Sequence, residues 1–325
     1  EYNVAIGNFA LDALTSGDFN TALGYAAGSA LTTGVRNVII GSNAADAMTT
    51  GSSNVFIGDE AVGGGVQTGS HNVAIGRNSG HDLTSAAEGT FVGFESGKDV
   101  STSNYNTLIG MMSGQYITTG DGRNTAVGVR NFNQGTALTT GSNNIALGER
   151  CKVSAANGTF QFIIGSNVTS NGSSTTTIGY DTTEIATNHG SASWAAVSDE
   201  RYKKDIENSS AGLSFINDLR PVTFKFKQKN ELATDLYGYD ADSTDTDGYT
   251  HEVAHGFIAQ EIKTAIDNHS EIKAGQEIWK ESPEVKGKRQ NVSHIGMIPM
   301  LVKAVQELSA TVTTLQQEIN TLKGE

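Results

Sequence analysis

The chain has 325 residues with 38 glycines, 3 prolines, one cysteine and a formal net charge of −13. That acidic balance offers no basic stripe to a phosphate backbone and argues against nucleic-acid binding. Cys151 alone excludes an internal disulfide framework and a cysteine zinc cluster, and no unbroken apolar run approaches the roughly 18 residues of a bilayer span.

The composition divides at residue 197. Residues 1–197 hold 30 of the 38 glycines and 7 of the 22 Lys+Arg; residues 198–325 hold all three prolines and the other 15 basic residues. The chain opens inside a repeat and without Met, so a longer parent protein is expected.

The first part repeats a short motif: NVAIG (3–7), NTALG (20–24), NVIIG (37–41), NVFIG (54–58), NVAIG (72–76), and on to TTTIG (175–179). Successive closing glycines are 17, 17, 17, 18, 17, 17, 18, 20, 17 and 14 residues apart. A fixed period near this length predicts a solenoid, in which each unit buries its apolar face against its neighbours. The residue before each glycine (Ile6, Leu23, Ile40) and the one two before it predict a short strand. Seven residues after the glycine comes a second apolar residue (Leu14, Leu31, Met48, Leu83, Val100, Ile117), delayed in longer units to Val66 and Leu138. A T-[ST]-G tail follows, read as a turn whose glycine adopts φ > 0. The recurrent asparagines (Asn3, Asn20, Asn37, Asn54, Asn72, Asn106, Asn124, Asn144) either stack in a hydrogen-bonded ladder or simply tolerate a turn. Thr pairs such as Thr32–Thr33, Thr49–Thr50 and Thr118–Thr119 would suit an ice- or sugar-binding array if they formed a flat exposed row.

This grammar resembles the head repeats of trimeric autotransporter adhesins and similar repeats in phage tail fibres, over residues 2–180. The resemblance implies a trimeric β-roll. Physical reasoning agrees: about two core positions per 17-residue coil is a thin core for one chain, given the entropy each ordered residue loses.

Residues 181–197 read as a connector with Trp194 as an apolar anchor. Beyond it, AGLSFINDLR predicts a helix capped by Ser209 or Ser210 and stopped by Pro221. VTFKFK predicts a strand with Val222, Phe224 and Phe226 on one face, and HGFIAQEIKTAI a second helix. Ile298, Leu301, Val305, Leu308, Val312, Leu315, Ile319 and Leu322 are spaced 3, 4, 3, 4, 3, 4, 3, an a/d seam that predicts a coiled coil over 298–323. Ile/Val at a with Leu at d leans toward two strands, but an array of three would override it.

SDERYKKDI, LRPVTFKF, HGFIAQEI and IPMLVKAVQELSATVTTLQ, in that order, resemble the C-terminal intramolecular chaperone domain of phage tail spikes and fibres, the self-cleaving domain of endosialidases. The resemblance covers residues 198–325. It implies trimerisation, templating of a β-rich stalk, and self-cleavage by a Ser/Lys dyad. Here that pair is Ser198 and Lys203, with Asp199, Arg201, Lys204 and Asp205 in support. A lysine can take the serine proton only if burial or nearby cations lower its pKa. The favoured scissile bond is Val197–Ser198, attacked through a five-membered ring; Ser198–Asp199 is the alternative.

The expected architecture is therefore mainly β: a trimeric β-solenoid stalk (1–180), a connector (181–197) and a small α+β chaperone domain (198–325) ending in the coiled coil. The expected partners are two further copies and a host-surface receptor, with a glycan as one candidate, and the expected location is a virion tail fibre. A cell-surface adhesin without cleavage is the competing reading. No cofactor, metal or membrane insertion is expected. The acidic loop 239–249 resembles a calcium loop, but its spacing is irregular and His251 stands where an EF-hand needs Glu.

Overall fold

The computed structural model describes residues 1–191, 193–196, 198–236, 239–243, 253–272, 278–282 and 289–323. They form two compact units, Glu1–Tyr202 and Lys203–Glu325.

The first unit is a β-solenoid. Eight three-residue strands, β1 (Val4–Ile6) to β8 (Thr125–Val127), are followed by β9 (Ile145–Glu149), β10 (Gln161–Ser166) and β11 (Thr175–Tyr180). All eleven pair in parallel and in sequence order, so Val38 lies beside Val55 and Ile39 beside Phe56. The middle residue of each short strand from β2 to β8 faces inward: Ala22, Ile39, Phe56, Ala74, Phe91 and Leu108 are fully buried. Its neighbour before the glycine faces out, and Ile6, Leu23, Ile75 and Ile109 are 37–59% exposed. Leu31, Met48, Leu83, Val100, Ile117 and Leu138 fill the opposite side of the core. Val66 does not join them. It is exposed, and Gln67 points inward instead, donating to the Gly69 carbonyl at 2.7 Å.

The two glycine rows serve different ends from those expected. The strand-closing row has positive φ, +141° at Gly41 for example, and a Cβ on Gly41 would overlap the Gly58 carbonyl of the next coil. The row in the T-[ST]-G tail largely does not: Gly17, Gly34 and Gly51 lie outside the left-handed region. Gly34 is required by close approach, since a Cβ would overlap the Gly51 carbonyl and meet Leu31 Cδ1 at 2.7 Å. Left-handed corners are made by non-glycine residues, among them Phe19, Arg36, Ser53, Asn43 and Glu60, and by a third set of glycines, Gly28, Gly80, Gly97 and Gly114, at φ +57° to +61°.

The asparagines form a ladder. Asn37 Oδ1 accepts the Asn54 backbone N–H at 3.0 Å, while its Nδ2 donates to Asn20 Oδ1 and to the Gly51 carbonyl. One buried amide thus satisfies backbone groups that water cannot reach. The ladder breaks at Gly89, where a Cβ would meet the Phe91 ring at 2.6 Å. Gln161 ends it by donating its N–H to Asn144 Oδ1. The threonine pairs divide: Thr32, Thr49 and Thr118 are partly buried, with Thr32 Oγ1 donating to the Thr49 carbonyl and Thr118 Oγ1 to the Thr139 carbonyl, while Thr33, Thr50 and Thr119 remain exposed. Only one of each pair is left for an outward row.

Residues 183–188 and 195–196 also enter the sheet. β12 (Thr183–Asn188) turns back antiparallel on β11, and β13 (Ala195–Ala196) pairs with β12. A parallel solenoid would otherwise end on an open edge. Trp194 is half exposed.

The second unit has a small core of its own around Ala211, Phe215, Ile262, Ala265 and Met297. Helix α1 spans only Leu213–Asn217, and neither Ser209 nor Ser210 caps it. Glu307, far along the chain, accepts the Leu213 N–H at 2.8 Å and supplies that cap. The helix ends at Asp218, three residues before Pro221. β14 (Val222–Phe224) pairs antiparallel with β15 (Ala254–Gly256), helix α2 covers Ala259–Asn268, and β16 (Trp279–Glu281) pairs with β17 (Gln290–Val292). Phe226 lies outside the strand and is exposed.

Helix α3 spans Ile298–Lys323. It meets the small core through Met297 just ahead of it, Met300 and Ala304, with Glu307 one turn on. The a/d seam lies beside that stripe, and Ile298, Leu301, Val305, Leu308, Val312 and Leu315 are all 46–65% exposed. By length and composition, Ile295–Lys323 would suffice to cross a bilayer. Lys303 and Glu307 interrupt its apolar sequence, so no unbroken run marks it.

Candidate functional site

Ser198 lies just beyond β13, at the end of the solenoid sheet. It is exposed, as are Arg201, Lys203, Lys204 and Asp205; Asp199 is half-buried. Val197 lies outside the described residues. Ser198 belongs to the first unit, and Lys203 opens the second.

A single 3-10 turn, Glu200–Tyr202, follows Ser198. Asp199 organises it. Its Oδ1 accepts the Arg201 backbone N–H at 2.9 Å, and both carboxylate oxygens accept from Arg201 Nε at 3.0 and 3.1 Å. Those bonds hold the Asp199 carboxyl below the usual carboxylate range and raise the Arg201 guanidinium. Among the supporting residues, Asp199 and Arg201 thus pair with each other. Asp205 stands in the left-handed region at φ +54°.

Within the first unit, Ser198 lines a cleft of about 500 Å³ with Asp199, Arg201, Tyr202, Asp181 and Glu184. Glu184, on β12, has its carboxyl pushed up by burial. Sequence reading missed Glu184 and Asp181, because their stretch reads as a linker and only strand pairing brings β12 beside residue 198.

Cys151 is buried and its thiol is pushed up to about 11 by desolvation, which makes it a poor nucleophile. Among the described residues, no group of three or more His, Cys, Asp or Glu side chains could hold a metal ion. Of loop 239–249, Tyr239–Ser243 are described; Asp245 and Asp247 lie outside the described residues. The second unit holds an apolar cavity of about 640 Å³ lined by Pro221, Val222, Phe257, His294, Met297 and the seam residue Leu301.

Residues 198–271 match the family model described as the chaperone of endosialidase. The match begins at Ser198 and runs through the 3-10 turn, α1, β14, β15 and α2. It ends before the β16–β17 hairpin and before α3. No curated protein and no solved structure matches the chain. A chaperone-of-endosialidase domain thus follows a β-solenoid of roughly 17-residue coils.

Proposed function

We propose that this chain is the distal part of a trimeric phage tail fibre or spike. The solenoid is the stalk that reaches a host surface, and the domain beginning at Ser198 drives trimerisation and folding before cutting itself free. The observation that carries this reading is the position of the family match: it starts at Ser198, directly after the last strand of the repeat sheet.

Two exposed apolar rows support self-association. One is the outward strand row of the solenoid, including Leu23, Ile75 and Ile109; the other is the α3 seam. Contiguous apolar surface of this kind marks an interaction face. A solenoid whose coils are nearly identical has little to fix its register against other copies, whereas a heptad seam defines one.

In the cleavage step, Lys203 Nζ in its neutral form takes the Ser198 hydroxyl proton. Ser198 Oγ then bonds to the Val197 carbonyl carbon, the Val197–Ser198 C–N bond breaks, and the released amine takes a proton from Lys203. Water hydrolyses the resulting ester to the Val197 carboxylate and the free serine. Lys203 is exposed in the single chain, so the burial that would make it neutral comes from neighbouring copies. Cleavage would thereby report assembly.

The test is to express wild type beside Ser198→Ala and Lys203→Ala and measure masses under denaturing conditions. A fragment of residues 198–325 in wild type alone supports the reading. Intact wild-type chains in a verified trimer would overturn cleavage and favour a non-cleaving adhesin-like stalk. Native mass measures the trimer itself.

A further inference from the structure

His269 caps the C-terminal end of α2 and is buried. Its ring stands edge-on to Phe215 of α1, with centroids 5.5 Å apart. Nε2 lies 2.8 Å from Asp218 Oδ2 and Nδ1 lies 2.7 Å from Glu271 Oε1. A neutral imidazole has one N–H and one lone pair. Between two carboxylates it would have to turn the lone pair toward an oxygen that only accepts. The imidazolium donates at both nitrogens, so this geometry selects the charged ring.

The surrounding charges agree. Asp218 faces the ring from the end of α1, and Glu271 faces it from the chain after α2. Phe215 adds no charge. The nearby ionic groups of α2 are engaged elsewhere, Lys263 with Asp267 and Glu261 with Arg220.

We infer that protonated His269 is a latch that fastens α1 to the end of α2, and that raising the pH opens it. The consequence reaches α3. Helix α1 is five residues long, too short to persist alone. Its first turn is held by Glu307 of α3, and its last residue is followed by the Asp218 that grips His269. Releasing one end loosens the surface on which the assembly helix rests. Proton loss from one side chain therefore regulates how firmly α3 is seated, whether or not Ser198 cuts.

The sign follows from the partners. Hydrogen bonds that the ring donates to Asp218, then to Glu271, raise the His269 pKa above its ordinary 6.5. The stabilisation is fully present below 6.5 and is lost as pH rises through the raised value. At the acid end, the His269 hydrogen bond lowers the Glu271 carboxyl, so that partner is lost only below the usual carboxylate range. Between those limits the His269–Glu271 pair is intact.

The experiment uses the full chain. An NMR titration of the histidine ring protons, with His269→Gln identifying the resonance, should place the His269 midpoint above 6.5. Hydrogen exchange of residues 213–219, corrected for the intrinsic rate, should show protection falling about tenfold per pH unit between 6.5 and that midpoint. His269→Gln should flatten this profile, and Asp218→Asn should lower the midpoint. A midpoint at or below 6.5, or the same profile in wild type and His269→Gln, would overturn the latch. If His269→Gln does not fold, the wild-type midpoint and its shift in Asp218→Asn still decide the matter.

Discussion

The solenoid and the second unit solve the same problem with opposite economies. In the solenoid, the parallel strand pairing joins each coil to the next, 14 to 20 residues away, and the same contact is repeated. In the second unit, contacts such as Glu307 with Leu213 span 94 residues and occur once. The repeat therefore tolerates little at any position whose geometry is copied, because the stacking coil presents backbone there. In the single-copy unit, Gly212 and Gly256 face side chains instead, those of Glu307 and Phe224.

The sharpest break in that comparison is a glycine. Gly41→Ala places a Cβ on the Gly58 carbonyl at φ +141°; strain and overpacking together should cost about 4 kcal/mol. Gly256→Ala in the second unit meets Phe224 Cε1 at 3.1 Å, outside the left-handed region, and should cost under ~1 kcal/mol. Thermal unfolding followed by circular dichroism measures both; equal losses would erase the distinction.

Next come the fully buried phenylalanines. Phe91→Ala and Phe215→Ala should each cost about 3–5 kcal/mol. Calorimetry should show the first lowering only the solenoid transition and the second only that of the chaperone unit, since each lies in a separate core.

Asn37→Ala leaves the Asn54 N–H and one bond to the Gly51 carbonyl unmade. A loss of about 2–3 kcal/mol is expected from unpaired buried groups, read as a lower denaturant midpoint. Glu307→Ala removes one cap and should cost about 1 kcal/mol in the second transition alone, with Glu307→Gln near wild type. Smallest of all, Arg201→Ala should leave both calorimetric transitions in place, because its pair with Asp199 is exposed.

Much of the solenoid was legible because its physics is local and periodic. The strand motif, the inward asparagines and the Leu31 to Ile117 row all follow from a constant spacing. The misreadings occurred where period alone does not specify geometry. Val66 and Gln67 are adjacent in a lengthened coil, and which of them faces inward depends on how that extra residue is absorbed. Gly34 and Gly41 are the same residue type, yet one is there for room and the other for room and torsion.

In the second half, the heptad fixed α3 almost to the residue. The short elements were less visible. A five-residue helix and three-residue strands carry too little periodicity to be separated from their neighbours, as the over-long readings of 211–220 and 222–227 show. At the candidate site, the sequence singled out Ser198, Asp199, Arg201 and Lys203 through an ordered set of motifs. It gave no sign of Glu184.

By itself, then, the sequence determined the repeat, the recurrence of its asparagines, the seam of α3 and the place where array gives way to chaperone, because each is written in spacing between neighbours. Tertiary structure alone decided that β12 returns to line a cleft beside Ser198, that Glu307 caps α1, and that Asp218 and Glu271 close on His269. Those arrangements join residues whose separation carries no pattern, and they exist only once packing has brought them within hydrogen-bond reach.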